Sequence, residues 1–398
     1  MARPYLVYSF LGLCASCLVL SYVSYRLLAF LPILCVLIGA CAWPWVRQQS
    51  TWHMPRIVAA ILGAIVLAAL PGFVLSDYTA ELGERLTKLL PLFASAVLLT
   101  GFAGAQGGLQ DILADKVRQA LFWVFSILVA VFFVDYALGL PLYALFHPDY
   151  EPTVKELLPQ LNRYMIIPLI CFVLIILSDL PRWQKVASAL AMMAMFFVTE
   201  SQSVQMTFIL LLLFWAVWPF VKRWALWIFG AGVSVFTLGF PYLAIWMFES
   251  RPQNMGVLET KGAGFNRLEI WSGLSDLAIA RPFFGYGLEA TRYLSLPIEH
   301  LYWADDTILH PHNYALQLWI EFGLFGVILF LAAFWYGLSC LRKYTFDIQY
   351  NALSLMIVII GINLSAYGLW QGWWLGLSIL AVFFGVLLSR SKMAHLKI

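Results

Sequence analysis

Charge is scarce in this chain of 398 residues: Asp, Glu, Lys and Arg make up 11% of it, less than half the roughly 25% of an ordinary soluble domain. With 62% hydrophobic residues, that scarcity excludes a soluble globular protein and predicts an integral membrane protein. Alternating strand patterns are missing too, which argues against a membrane barrel. A formal net charge of +3 supplies no basic surface, so nucleic acid is not an expected partner. Cysteine is rare, and all six, Cys14, Cys17, Cys35, Cys41, Cys171 and Cys340, fall inside apolar runs. Cys14 and Cys17 form a CxxC without a second pair or a partner His, so they read as small buried residues rather than a metal or redox centre. Long polar stretches are equally rare. There is one, residues 249–311, which contains no DxD and no clustered metal-ligand spacing, Asp305-Asp306 alone being too little for a metal site.

Apolar runs near 20 residues recur from end to end, the length a helix needs to cross a hydrocarbon core of about 30 Å. The expected spans are 5–23, 27–46, 57–75, 89–104, 119–143, 161–178, 186–199, 204–220, 225–247, 312–340, 351–369 and 373–389. The chain is therefore expected to be all-α and polytopic, about twelve transmembrane helices in a single domain over residues 1–398, with residues 249–311 as one large loop carrying short helices. The first run has no clear small-residue cleavage site and another span follows closely, so it reads as a span rather than a leader. Lys and Arg collect in alternate connections, with Lys116 and Arg118, Arg182 and Lys185, Lys222 and Arg223, and Arg342 and Lys343 on one side. Because cytoplasmic loops retain positive charge, both termini are expected inside and the 249–311 loop outside.

Within that loop, Phe265, Leu268, Ile270, Trp271, Leu274, Leu277 and Ala278 mark one apolar face of a helix too short and too charged to span, expected along the membrane surface or over the bundle. Ala280-Arg281-Pro282 should end it, and Gly285-x-Gly287 should form a tight turn. Pro311 suits the first turn of the next helix, which would place His312 and Asn313 at an N-terminal end favourable to an anion such as diphosphate. Along that helix Asn313, Gln317 and Glu321 share a face, and His312 would stack over Leu316 and Trp319. Glu321 is expected about 13 Å down the axis, turned inward toward a partner. Gly323 and Gly326 would offer a small surface for helix packing.

Three features together, Arg267 with Trp271, the Arg281-Pro282 to Gly285-x-Gly287 turn, and His312-Asn313-x9-Gly323-x2-Gly326, resemble the O-antigen ligase family of polytopic glycosyltransferases. The local resemblance covers roughly residues 262–330. It implies a GT-C-like fold at the bacterial inner membrane and an inverting, metal-independent transfer at the periplasmic face, with no cofactor. The implied donor is a glycan on undecaprenyl diphosphate. The implied acceptor is a lipid A core oligosaccharide in the ligases and another carrier-linked repeat unit in the related polymerases. A non-catalytic transporter of lipid-linked glycan would use the same arginines for binding alone.

The residues suit that chemistry. Fixed guanidinium groups can take the charge on a departing diphosphate, and Arg267 is the first choice. A neutral histidine can accept the proton of an acceptor hydroxyl, which makes His312 the expected base, with diphosphate binding as its alternative role. Arg163, beside Asn162, matches an Asn-Arg position that recurs in the family and is a substrate-binding candidate, although snorkelling to the interface would also explain it. Many ligases carry a basic residue in a Thr/Ser-rich middle segment, where this chain reads Thr199-Glu200-Ser201-Gln202-Ser203. Gln202 stands in that place, so Arg163 or a loop arginine, Arg281 or Arg292, would substitute in holding the donor. Asn313 and Glu321 complete the candidate set. His310, His300, Arg281 and Arg292 also read as loop structure.

Overall fold

The computed structural model describes residues 3–46, 56–75, 79–104, 108–146, 161–250, 263–295 and 307–389. These form helices α1 (Arg3–Leu20), α2 (Leu27–Val46), α3 (Arg56–Ala69), α4 (Gly72–Leu75), α5 (Thr79–Gly104), α6 (Gly108–Ala137), α7 (Pro141–Leu145), α8 (Asn162–Leu177), α9 (Arg182–Val198), α10 (Gln202–Val221), α11 (Ala225–Glu249), α12 (Ala263–Ala280), α13 (Tyr314–Leu341), α14 (Phe346–Asn363) and α15 (Gly372–Leu388). Among the described residues, six helices are long and apolar enough to cross a membrane and five more are apolar but shorter. The protein is thus all-α and polytopic.

Every expected span holds a helix, but the hydropathy window saw only the apolar part of several. α5 starts before residue 89 because Glu84 and Lys88 pair across one helical turn, and α6 starts before residue 119 through the Asp115–Arg118 pair. One correction runs the other way. The span expected at 351–369 ends at Asn363, because the carbonyls of Leu364 and Ala366 are turned away to accept from Asn313 and His312. Leu364–Gln371 is a loop.

α8 is apolar on all sides and buried without interruption from Tyr164 to Ile175, as a helix at the centre of a bundle must be. Around it, α1, α2, α5, α6, α10, α14 and α15 share one continuous apolar core. A second core joins α3, α11, α12 and α13. α12 packs on α11 and α13, over the bundle, with Ile270, Leu274 and Ala278 buried.

α13 departs most from the expected straight helix. Gly323 has φ 59° and ψ −162°, non-helical values inside it, in a region essentially reserved for glycine. The two halves fold against each other, so the Tyr314 and Phe330 rings lie 5.9 Å apart, where a straight helix would separate them by about 24 Å. The break is filled by the turn after α12. Tyr286 and Gly287 donate to the carbonyls of Ile320 and Glu321, while Leu324 and Phe325 donate to those of Pro282 and Phe283. These four backbone bonds satisfy the groups that the broken helix leaves open.

This overturns the helix-packing expectation for the two glycines. A Cβ on Gly323 would meet the Phe283 backbone at 2.5 Å, and Gly326 gives space to the Phe322 side chain.

Candidate functional site

One end of the bundle gathers the α1–α2 turn, the start of α8, the α9–α10 turn, the Leu364–Gln371 loop and the segment leading into α13. That segment is shaped by its backbone. Asn313, not Pro311, caps the helix, its side-chain oxygen accepting from the Leu316 N–H at 3.1 Å, a bond worth about 1 kcal/mol. Its amide donates to the Leu364 carbonyl at 2.9 Å, and the residue is 0% exposed. His312 therefore lies outside the helix, in the left-handed region at φ 56°. That turn swings its ring off Leu316 and Trp319, the expected neighbours, and onto the Ala366 carbonyl at 2.5 Å.

The Ala366 carbonyl can only accept, so His312 Nδ1 carries the hydrogen and Nε2 keeps its lone pair. Burial, with the charges of Arg267 and Arg163, pulls the imidazole pKa down to about 4, although the bond to Ala366 opposes the shift. The ring is neutral at pH 7. His310 packs edge-on to it at 4.1 Å and is anchored by the Gln371 amide at 2.6 Å. Burial first, then His312, Arg292 and Arg163, lower its pKa to about 2.

The expected residues are brought together selectively. Arg163 donates to the Tyr25 hydroxyl at 2.7 Å and lies over that ring at 4.5 Å, while its charge reaches both histidines. Arg267, at the start of α12, acts on His312 and on Tyr367. Burial lowers its own pKa while Tyr367 opposes the change, and a guanidinium remains a cation regardless. The Trp271 indole one turn on donates to the Pro311 carbonyl at 2.7 Å, which ties α12 to the histidine segment. Arg292 is clamped by Glu289 through two bonds, 3.1 and 3.2 Å, and its charge reaches His310.

Gln202 is exposed in the first turn of α10. It sits on the same rim, because the adjacent Ser203 is bonded to Ser365 at 3.0 Å. Arg281 lies elsewhere: it is about 20 Å along α12 from Arg267, with its guanidinium 4.6 Å over the Tyr286 ring. Arg251, Lys261, His300, Tyr302, Asp305 and Asp306 lie outside the described residues.

Asn313, Gln317 and Glu321 do share a face, and it looks onto the Leu364–Gln371 loop. Gln317 accepts from the Leu369 N–H at 2.8 Å and donates to Glu321 at 2.7 Å. Glu321, 0% exposed, takes the Trp370 indole N–H at 2.5 Å. The face thus fixes the loop whose Ala366 carbonyl sets the His312 tautomer.

Sequence reasoning missed Tyr25, Tyr367, Trp370 and Gln371, and with them Glu289 and Arg85, which approach each other to 2.9 Å. The one available signal was the polar and aromatic run Ser365, Tyr367, Gly368, Trp370, Gln371 between two strongly apolar segments. Among the described residues no group of three or more His, Cys, Asp or Glu gathers as metal ligands would.

Two histidines and the charges of Arg163 and Arg267 gathered at one end of a bundle of membrane-length helices define a polytopic membrane protein with a polar site at that end. Residues 187–331 match the model of the O-antigen ligase family. The chain is similar to proteins named as candidate polysaccharide ligases: 31% identical over 154 residues to one from Rickettsia conorii, 28% over 150 residues to one from Rickettsia felis and 29% over 132 residues to one from Rickettsia typhi. The matches take in 36%, 36% and 31% of this chain and 36%, 36% and 33% of the relatives, so the chain spans about a third of the length of the curated relatives it matches. No solved structure matches it.

Proposed function

We propose that the protein is a metal-independent, inverting glycosyltransferase of GT-C-like, twelve-span architecture that moves a glycan from undecaprenyl diphosphate to a lipid A core oligosaccharide. The observation that carries this reading is the neutral His312, pinned through Nδ1 to Ala366 and flanked by the charges of Arg163 and Arg267. In the proposed step the acceptor hydroxyl passes its proton to His312 Nε2 as its oxygen bonds to the anomeric carbon. The bond from that carbon to the diphosphate oxygen breaks, and undecaprenyl diphosphate departs with the electron pair. Arg267 and Arg163 stabilise the charge on the leaving oxygens, which compensates for the uncharged Gln202. Arg292, held by Glu289, is assigned to the substrate rim, as are Asn313 and Glu321 through the loop they anchor. Arg281 contributes from the far end of α12 by holding the turn.

The opposite end of the bundle carries Arg118, Lys222, Arg223, Arg342 and Lys343, at the start of α6, the α10–α11 connection and the end of α13. The bias of positive charge toward the cytoplasm supports a periplasmic histidine site with both termini inside. Reconstitution of the purified protein with a defined undecaprenyl-diphosphate glycan and separate acceptors tests the whole reading. Transfer to core oligosaccharide in detergent is expected. Extension of carrier-linked repeats instead would make it a polymerase, and no transfer to either acceptor would leave transport alone.

Two further results are expected. Arg267→Ala should lower transfer by roughly 10²-fold or more, the scale of losing one preorganised donor, while Arg281→Ala should cost less than tenfold; equal losses would remove Arg267 from the reacting centre. The acidic limb of kcat/KM should fall near pH 4, because His312 is the working base only above its depressed pKa. The corresponding limb of kcat should lie higher, since a bound diphosphate favours the imidazolium. A single limb at the ordinary histidine value in both profiles would contradict the assignment.

A further inference from the structure

The end of the bundle away from the histidines holds a cavity of about 310 Å³ between α11, the end of α13 and the start of α14. Its walls include Arg223, Arg342, Trp227, Thr345, Phe346 and Gln349. Arg342 lies 6.0 Å over the Trp227 ring, which orients the guanidinium and leaves its N–H groups free to donate. Arg223 and Arg342 are both exposed, and neither is in an ion pair among the described residues. Thr345 caps α14 without a side-chain hydrogen bond, so its hydroxyl and the first N–H groups of that helix add donors on the same side. Gln349 closes the turn by donating to the Tyr344 carbonyl at 2.8 Å. Two guanidinium groups and the Thr345 hydroxyl thus line the cavity beside the first turn of α14, where Asp347 is the acidic residue.

We propose that this cavity is a binding site for the phosphate group of an anionic phospholipid. The shared chemistry is a phosphate oxyanion, and the surroundings favour a lipid as its source. The cavity lies at the ends of membrane-length helices, where headgroups sit. Trp227 and Phe346 border it at 50% and 43% exposure, as amphipathic aromatics do at a bilayer boundary. Exposed Val217, Ile228 and Phe220 continue from it along α10 and α11 and offer an apolar track for acyl chains. Basic pockets between transmembrane helices take anionic headgroups in this way. The site is remote from His312, so its test does not depend on the proposed transfer.

The test titrates the full chain in detergent with phosphatidylglycerol, phosphatidylcholine and inorganic phosphate, with bound species read by native mass spectrometry. Phosphatidylglycerol should bind in preference to phosphatidylcholine, and R223Q/R342Q should weaken it by roughly tenfold or more, two surface arginines being lost. Arg182→Gln, which removes a positive charge at the start of α9 on the same end of the bundle, should leave binding unchanged. Should the glutamine pair fail to fold, R223K/R342K keeps the charge, loses the forked geometry and is expected to weaken binding severalfold. Equal affinity for phosphatidylcholine, an equal effect of Arg182→Gln, or inorganic phosphate bound as tightly as the lipid would each overturn the proposal.

Discussion

His312→Asn should lower glycan transfer by roughly 10²–10⁴-fold, the range that a positioned general base contributes, with the protein still folded in the membrane. Asparagine is the informative replacement for two reasons. His312 sits at φ 56°, which asparagine tolerates better than most residues, and an amide N–H can still reach the Ala366 carbonyl that Nδ1 now occupies. The variant thus keeps the anchor and loses only the Nε2 lone pair. His312→Ala also orphans the carbonyl, at about 1–3 kcal/mol, so a loss of activity there mixes fold with chemistry. Transfer by the asparagine variant within tenfold of the native rate would make His312 an anchor of the loop rather than the base. His310→Asn gives the contrast, because His310 is nearly buried beneath Gln371 and should act through the orientation of its neighbour.

The membrane class and the position of each helix were legible because a hydropathy window measures what a bilayer requires of a segment. Helix ends were less legible, since charged first turns such as Glu84–Lys88 extend a helix past its apolar run. Arg267, Arg163 and His312 stood out in the sequence as cations and an imidazole bordering apolar segments. What completes the site around them is tertiary. Ala366 and Tyr367 lie more than 50 residues from His312, in a segment that hydropathy assigned to a span, and only the bonds from Asn313 and His312 show why the helix stops there. The pairing of Arg163 with Tyr25 across the bundle, and of Arg85 with Glu289, leaves no local trace at all. The Gly285-x-Gly287 and Gly323-x2-Gly326 spacings were visible as motifs, yet their common cause is a crossing of two backbones that neither spacing reveals alone.

That crossing yields the largest expected effect on stability. Gly323→Ala should destabilise the protein by roughly 2–6 kcal/mol, combining a backbone conformation costing about 1–3 kcal/mol for a non-glycine residue with overpacking of about the same size. The clash has no soft side: the added Cβ would meet Phe283 C and O at 2.5 and 2.6 Å and Phe284 N at 2.6 Å, all backbone. Gly285→Ala should behave alike, since at φ 65° its Cβ would meet Ile320 O at 2.5 Å and Glu321 C at 2.6 Å. Either change pushes Pro282–Gly287 out of the break and uncovers the carbonyls of Ile320 and Glu321. Transfer should fall as well, because Glu321 holds Trp370 and Gln317 holds Leu369, and these fix the loop that presents Ala366 to His312. Gly239→Ala is the control: a Cβ there meets nothing within 4 Å inside α11, so it should be neutral or gain up to about 1 kcal/mol from helix propensity. Thermal unfolding in detergent reads all three variants. A Gly323→Ala protein melting with the native one would mean that α13 does not break where Gly323 stands, and the route from the broken helix to the histidine would go with it.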